Sequence, residues 1–407
     1  KSPLAQQKRK PNGGQPGHKG HTLEAVAHPD HVQWHLPEGC KHCGRHFESR
    51  DAVRSVGTHQ VFDIPQPKME VTEHRVGEVH CCGCAQRGEA PKGVQPAPAQ
   101  YGPGVHALMV LLGNYYHLSL EKSRQLIGDL FGYQPSEGTL NNLQARCHKA
   151  LEPAERQIKA ALGRQAVVHF DETGLDKKRW LHTATNEHLT YCFGHPKRGR
   201  EAIGGTDSLL PEFTGWAVHD YWAAYYHVGP AHHVLCGAHL LRDLQAAWEQ
   251  EGRRWVYELQ GWLLRLYQRV ESQGGCLPIH EHRGVWARFK ALQQAGQVQE
   301  PPPQQRGRGR PRRSRGANLL KRMAEHGEEI LAFAFHREVP FTNNCAERAI
   351  RPAKTKLKVS GGWRTMAGVQ QYARISAFIS TVRKQGQNIW QELSNILQGH
   401  SYCLATS

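Results

Sequence analysis

Apolar residues recur at three- and four-residue steps through VHALMVLLGNYYHLSLEKSRQLI and SEGTLNNLQARCHKALEPAERQIKAAL, which predicts helices from about 104 to 160. Ser136 followed by Glu137 reads as a start signal for the second of them. Between 165 and 250 the period shortens. QAVVHFD, RWLHTAT, LTYCFG, GWAVHD and HHVLCG predict strands, interrupted by a mixed segment ending near Phe213 and by a short turn or helix, YWAAYYHV; a helix starts at Ala238. That order predicts an α/β sheet with an antiparallel first half. Amphipathic helix returns over 251–300, again at about 317–335, and in YARISAFISTVRKQGQNIWQELSNIL after the glycine turn SGGWR.

Other stretches carry no such period. Residues 1–22 combine Lys, Arg, Gly and Pro with almost nothing apolar, so they cannot bury a core and read as a basic arm on phosphates or a solvated linker. PPPQQRGRGRPRRSRG, 301–316, reads as a loop. The expected organisation is an arm over 1–25, a metal-binding unit over 26–98, a helical unit over 99–160, a sheet over 161–250, a helical segment over 251–340 and a closing segment over 341–400.

Charge and cysteine placement narrow the function. Lys plus Arg number 52 against 36 Asp plus Glu, a net charge of +16, which points to a polyanionic partner. No apolar run approaches the roughly 20 residues of a membrane span and no short apolar segment opens the chain, so a soluble intracellular protein is expected. The chain begins at Lys1 rather than methionine, and a segment upstream is expected. Of 11 cysteines, five crowd into one stretch, which favours a metal site in a reducing compartment over disulfides. Cys40/Cys43 and Cys81/Cys84 are Cys-x-x-Cys pairs that bracket an extended stretch read as a hairpin, the arrangement of one structural Zn²⁺ in a small β domain. Cys82 is out of step; His42, His46, His74 and His80 are alternative ligands, and two unrelated thiol pairs are the plainer reading.

Three acids stand out. Asp171 ends VVHFD and Asp220 ends GWAVHD, each at the carboxyl end of a predicted strand, where sheet-based sites gather ligands. Singly, Asp171 reads as a turn residue, Asp220 as a helix cap, and Glu347 as the partner of Asn344 in a capping box. Together they supply the hard oxygens that a pair of Mg²⁺ (or Mn²⁺) ions about 4 Å apart requires for in-line phosphoryl displacement. Arg348, Arg351, Lys354, Lys356 and Lys358 follow Glu347 and are positioned to hold phosphates, as is Arg364; Pro352 is expected to end or kink the helix and leave the later lysines on a loop.

In order along the chain, GGQPGHKGH, CKHC with CCGC, SEGTLNN, HFDETG, VHDYWAAYY, VPFTNNCAERAIRPAK and KVSGGWRT resemble the insertion-sequence-66 family of bacterial transposases. The resemblance implies an RNase H-like core with a mixed five-stranded sheet, Asp171, Asp220 and Glu347 as its Asp-Asp-Glu triad, and a helical insertion domain before the last acid. It also implies DNA as partner, at least a dimer on paired element ends, accessory proteins encoded by the same element, and a cytoplasmic, nucleoid-associated location. The family's further N-terminal helical part has no counterpart here. DNA contacts are expected from Lys8, Arg9, Lys10 and Lys19 in the arm and from Arg306, Arg308, Arg310 and Arg312, whose RGRGRP resembles minor-groove hooks or is a plain basic loop. Cys236 and His239 are similar to a Cys-x-x-His pair of several transposase groups, as a metal pair or as a packed strand-to-helix junction. Trp222, Tyr225 and Tyr226 read as core packing or as a stacking face for an unpaired base. Two further readings share these features: a DNA-binding regulator that has lost catalysis, and a nuclease of the same fold that only hydrolyses.

Overall fold

The computed structural model describes residues 22–49, 51–88, 98–302 and 313–405. These fall into two units, one within Lys8–Thr72 and one within Glu73–Ser407. No helix among the described residues is long and apolar enough to cross a membrane.

In the smaller unit the extended stretch pairs with nothing: the described residues 51–72 contain no strand. Val61, Ile64 and Val71 are about four-fifths exposed, and Pro65 and Pro67 lack the N–H groups a ladder needs. The hairpin expected between the cysteine pairs is therefore absent among the described residues. The ordered features are local, an isolated bridge between Gly39 and His46 and the Gln60 amide bonded to both the N–H and the carbonyl of Val26 at 2.8 Å.

The larger unit opens with a two-stranded ribbon, β1 (Val79–His80) and β2 (Arg87–Gly88). Four helices follow: α1 (Pro103–Asn114), α2 (Leu120–Phe131), α3 (Glu137–Ala150) and α4 (Glu152–Gly163). Ser136 caps α3 by accepting the Thr139 N–H at 3.0 Å, as its position foretold. The sheet comprises β3 (Val167–Gly174), β4 (Trp180–Thr185), β5 (Thr190–His195), β6 (Trp216–His219) and β7 (His232–Leu235), in the order β5-β4-β3-β6-β7. β3, β4 and β5 pair antiparallel, whereas β3, β6 and β7 pair parallel, so the sheet is the mixed one expected. Between β5 and β6 lie a short helix, α5 (Arg200–Ile203), and a 3-10 turn, Leu210–Glu212.

Beyond β7 come α6 (Gly237–Glu251), α7 (Arg254–Ser272), α8 (Ile279–Gln299), α9 (Arg315–Glu325) and α10 (Gly327–Phe335). The helix expected over 317–335 is thus two, broken at His326, whose φ of −132° and ψ of 35° leave the helical region. Val218, Val234 and Leu235 from β6 and β7 share one apolar cluster with Trp255, Leu259, Phe289, Leu331 and Phe333 from these helices. The helical segment is therefore built onto the sheet edge rather than around a core of its own. The chain then returns through α11 (Asn344–Val359), α12 (Met366–Lys384) and α13 (Ile389–Leu397). α11 lies on β3 and β4, and α12 on β5.

Pro352 does not end its helix: α11 runs on to Val359 and keeps Lys354, Lys356 and Lys358 helical. Its buried face, Cys345, Ala346, Ile350 and Ala353, is anchored on both sides of the proline, which offsets the roughly 3 kcal/mol an interior proline costs.

The segment leading into α11 is held against α6 at close range. Gly237 donates its N–H to the Phe341 carbonyl at 2.8 Å, and a Cβ on Gly237 would lie 2.2 Å from Phe341 Cε2. Phe341 cannot yield, because its ring stacks on Tyr267 at 4.5 Å and meets Phe333 at 4.6 Å. Gly237→Ala is expected to cost about 1–3 kcal/mol by overpacking, read as a lowered midpoint in urea unfolding.

Candidate active site

Asp171 and Asp220 are neighbours by register. β3 and β6 pair from Val167↔Trp216 to His169↔Val218, and the same offset carried two residues on sets Asp171 opposite Asp220 on one face. β3 does not stop at Asp171 as expected; it continues to Gly174 against β4 alone. β6 ends at His219, so beyond that point β3 has lost its parallel partner. Asp220 turns out of the strand and accepts the Trp222 N–H at 2.9 Å.

Asp171 is the strained acid. Burial first, then the charge of Glu172, and further the charges of Asp220 and Glu347, push its carboxyl up to about 7, against one N–H bond from Glu172 at 2.9 Å. The acid from the distant helix is thus within electrostatic reach of the strand pair.

Glu347 is aimed by a device the sequence did not suggest. The residue capping α11 is Asn343, not Asn344, and its side chain makes no capping bond. Asn343 is instead buried and bridges to β3: its Oδ1 meets His169 Nδ1 at 2.9 Å and its Nδ2 donates to the Phe170 carbonyl at 2.8 Å. Its N–H donates to Cys236 Sγ at 3.1 Å. No capping box forms, and the Glu347 carboxylate faces Arg242 at 3.3 Å and His239 at 3.7 Å. Burial holds His169 below the usual imidazole range, so it stays neutral beside Asn343.

Glu172, adjacent to Asp171, is a second acid that sequence reasoning passed over. It is buried, with Arg198 donating at 2.6 and 2.8 Å and the Tyr225 hydroxyl at 2.5 Å. Burial raises its carboxyl, while the bonds from Tyr225 and Arg198 oppose that rise. Arg198 also lies over the Trp222 ring at 4.3 Å and the Trp180 ring at 5.4 Å. Tyr225 is buried and Tyr226 stacks on His326, so both are packing residues; Trp222 is half-buried under Arg198.

Among the cations after Glu347, Arg348, Arg351, Lys354, Lys358 and Arg364 are exposed. Lys354 reaches the Gly174 carbonyl at 2.7 Å, and Lys356 donates to the Gly113 carbonyl at 3.0 Å. Lys8, Arg9, Lys10, Lys19, Arg306, Arg308, Arg310 and Arg312 lie outside the described residues.

The two cysteine pairs adopt one turn geometry. Cys40 N–H donates to Arg45 O at 2.8 Å and Gly44 N–H returns to Cys40 O at 2.9 Å; Cys81 N–H donates to Gln86 O at 2.9 Å and Ala85 N–H returns to Cys81 O at 2.8 Å. Gly44 and Ala85 occupy the same left-handed position, at φ 73° and 55°. Backbone N–H groups aimed at sulfur, from Cys43 then His42 in one turn and from Gly83 then Cys84 in the other, lower the first thiol of each pair.

The model of the transposase IS66 family matches residues 98–371. No match was found among curated proteins. The matched span takes in the sheet, Asp171, Asp220 and the whole of α11, and with more than half of its length covered the chain belongs to the IS66 family of transposases.

Proposed function

We propose that this transposase cuts the 3′ ends of its element and joins them to target DNA at a site made by Asp171, Asp220 and Glu347. What carries the reading is one arrangement: Asp171 on β3, Asp220 just past the end of the parallel strand β6, and Glu347 on a helix that Asn343 pins to β3 at the Phe170 carbonyl, one residue before Asp171.

The donor set fits divalent cations. Asp171 is raised to about 7 by burial first and then by the like charges around it, and a hard dication relieves both the buried charge and the repulsion. Asp171, Asp220 and Glu347 would hold two Mg²⁺ or Mn²⁺ ions, which when bound activate the attacking oxygen and stabilise the leaving one. The chain's own part is orientation. Asn343 fixes the start of α11, the Trp222 N–H fixes one oxygen of Asp220, and Glu172 fixes Arg198 against Trp222 at the rim. Arg348, Arg351, Lys358 and Arg364 are exposed cations offered to phosphates, at least two copies of the chain acting on paired ends.

Cys40, Cys43, Cys81 and Cys84 are proposed as ligands of structural Zn²⁺, each Cys-x-x-Cys turn offering two thiolates, on the strength of their like turns. Wild type is expected to hold that zinc through dialysis, and Cys40→Ser or Cys81→Ser to release it while the 98–405 region keeps its helical circular dichroism. Retention of full zinc by both variants contradicts the assignment.

Strand transfer of labelled element ends with Mg²⁺ tests the triad. Asp171→Ala, Asp220→Ala and Glu347→Ala are expected to bind DNA and lose at least about a thousandfold in joining, since each removes a ligand of the ions that carry charge in the transition state. Wild type that cuts without joining is a nuclease, and wild type that binds without cutting is a regulator.

Stability carries a matching pH signature. In the folded chain Asp171 keeps its proton up to about 7, whereas the unfolded chain releases it near the ordinary value of 3.8. The folded state therefore binds more protons between those values, and its stability falls as pH rises from about 4 to 7. Asp171→Asn is expected to be more stable than wild type by about 1–3 kcal/mol at pH 8, with the advantage shrinking towards pH 4. Thermal melts at the two pH values check it, and millimolar Mg²⁺ is expected to narrow the gap at pH 8.

A further inference from the structure

Where β7 turns into α6, Cys236 Sγ, a ring nitrogen of His239 and a carboxylate oxygen of Glu347 lie within 4.8 Å of one another, the one such group of metal-binding donors among the described residues. Two of the donors are held in place. Cys236 is buried and its sulfur accepts the Asn343 N–H, while His239, three residues on, presents its side chain on the same face of the first helical turn. The third observation is an orphan: His239 Nδ1 is enclosed by protein yet has no hydrogen-bond partner, and Glu347 Oε1 at 3.7 Å is beyond hydrogen-bond reach. A buried imidazole nitrogen left facing a thiol and a carboxylate is an unmet ligand.

We propose that Cys236, His239 and Glu347 form a second divalent site, selective for a soft ion of the zinc class and distinct from the hard oxygen pair at Asp171 and Asp220. Sulfur and imidazole nitrogen discriminate against Mg²⁺ and favour Zn²⁺, and three protein ligands leave a fourth position for water. Bonds of about 2.0–2.3 Å put tetrahedral ligands roughly 3.5 Å apart, so side-chain rotation closes the present spacing. Binding displaces the Cys236 thiol proton to solvent, and thiolate with carboxylate neutralises the dication. Arg242, the cation that faces Glu347 at 3.3 Å and is itself more than half exposed, swings out to solvent as the ion arrives.

The consequence for catalysis rests on the reading of Glu347 given above: an ion at this site takes Glu347 from the reacting centre, so zinc inhibits joining in the presence of Mg²⁺. The test counts metal first. Full-length wild type dialysed against Zn²⁺ is expected to hold one equivalent more than Cys236→Ser, His239→Gln or Glu347→Gln, and with cobalt(II) as probe the sulfur-to-cobalt absorption is expected to fall in Cys236→Ser. In joining assays, each protein measured against its own rate without zinc, the half-inhibiting zinc concentration is expected to rise at least about tenfold in Cys236→Ser and His239→Gln. Equal zinc content in wild type and all variants overturns the site. Should Cys236→Ser fail to fold, His239→Gln, altered at a one-third exposed side chain, decides the matter. Because the zinc count needs no activity, a Glu347→Gln that joins DNA like wild type sinks the catalytic reading and leaves the second site standing.

Discussion

A buried amide holds the site together. Asn343 lies between α11 and β3 with its oxygen on His169 and its nitrogen on the Phe170 carbonyl, one residue before Asp171. Beyond His169 the parallel pairing of β3 with β6 has ended, and a β3 carbonyl beyond that point needs a donor from elsewhere. The Asn343 amide supplies it, so the end of that pairing is also what fastens the last acid's helix. A buried amide with both ends bonded is costly to disturb, since each lost bond strands a partner away from water. The separation in sequence between the first acid and the last is therefore bridged beside the first acid, at the start of a helix that packs on along β3 and β4.

Around that tie, adjacent acids take opposite parts. Glu172 is compensated by a guanidinium and a phenol hydroxyl, and its job is to hold Arg198 and Tyr225 in place. Asp171 is buried with a single backbone bond and three acids for company, and burial first, then those charges, raise its carboxyl to about 7. Two adjacent carboxylates are thus set apart, one compensated and one not, by their partners and not by their type.

Much of the architecture was legible in the pattern of apolar runs. Five strands in the order three antiparallel then two parallel follow from QAVVHFD, RWLHTAT, LTYCFG, GWAVHD and HHVLCG, and Asp171 and Asp220 both fall just beyond the parallel pairing of β3 with β6, at the same offset. What failed were inferences from local spacing. Asn344 and Glu347 have the separation of a capping box, yet the cap is Asn343 and its side chain answers to a strand far away in sequence. Pro352 breaks an isolated helix, yet here Ile350 and Ala353 are buried on either side of it and tertiary packing wins. Glu172 went unremarked because nothing local separates it from Asp171. Its role depends on Arg198 and Tyr225, which reach it only through the fold.

Pinning the backbone of α11 leaves Glu347 with one freedom, the rotation of its own side chain. One neighbour is Asp171, whose carboxyl feels the Glu347 charge, and the other is the sulfur and imidazole of Cys236 and His239. The same Asn343 residue serves both sides, its amide side chain binding β3 and its N–H binding the Cys236 sulfur. With both proposed sites, the choice between the two donor sets would follow the chemistry of the ion that arrives: a hard cation suits carboxylates alone, a soft one a thiolate and a nitrogen. A glutamate at a helix start is long enough to serve either, whereas an aspartate, one methylene shorter, would have to move the helix. Moving the helix means breaking the Asn343 bridge, so the length of this one side chain and the rigidity of its support are two halves of the same constraint.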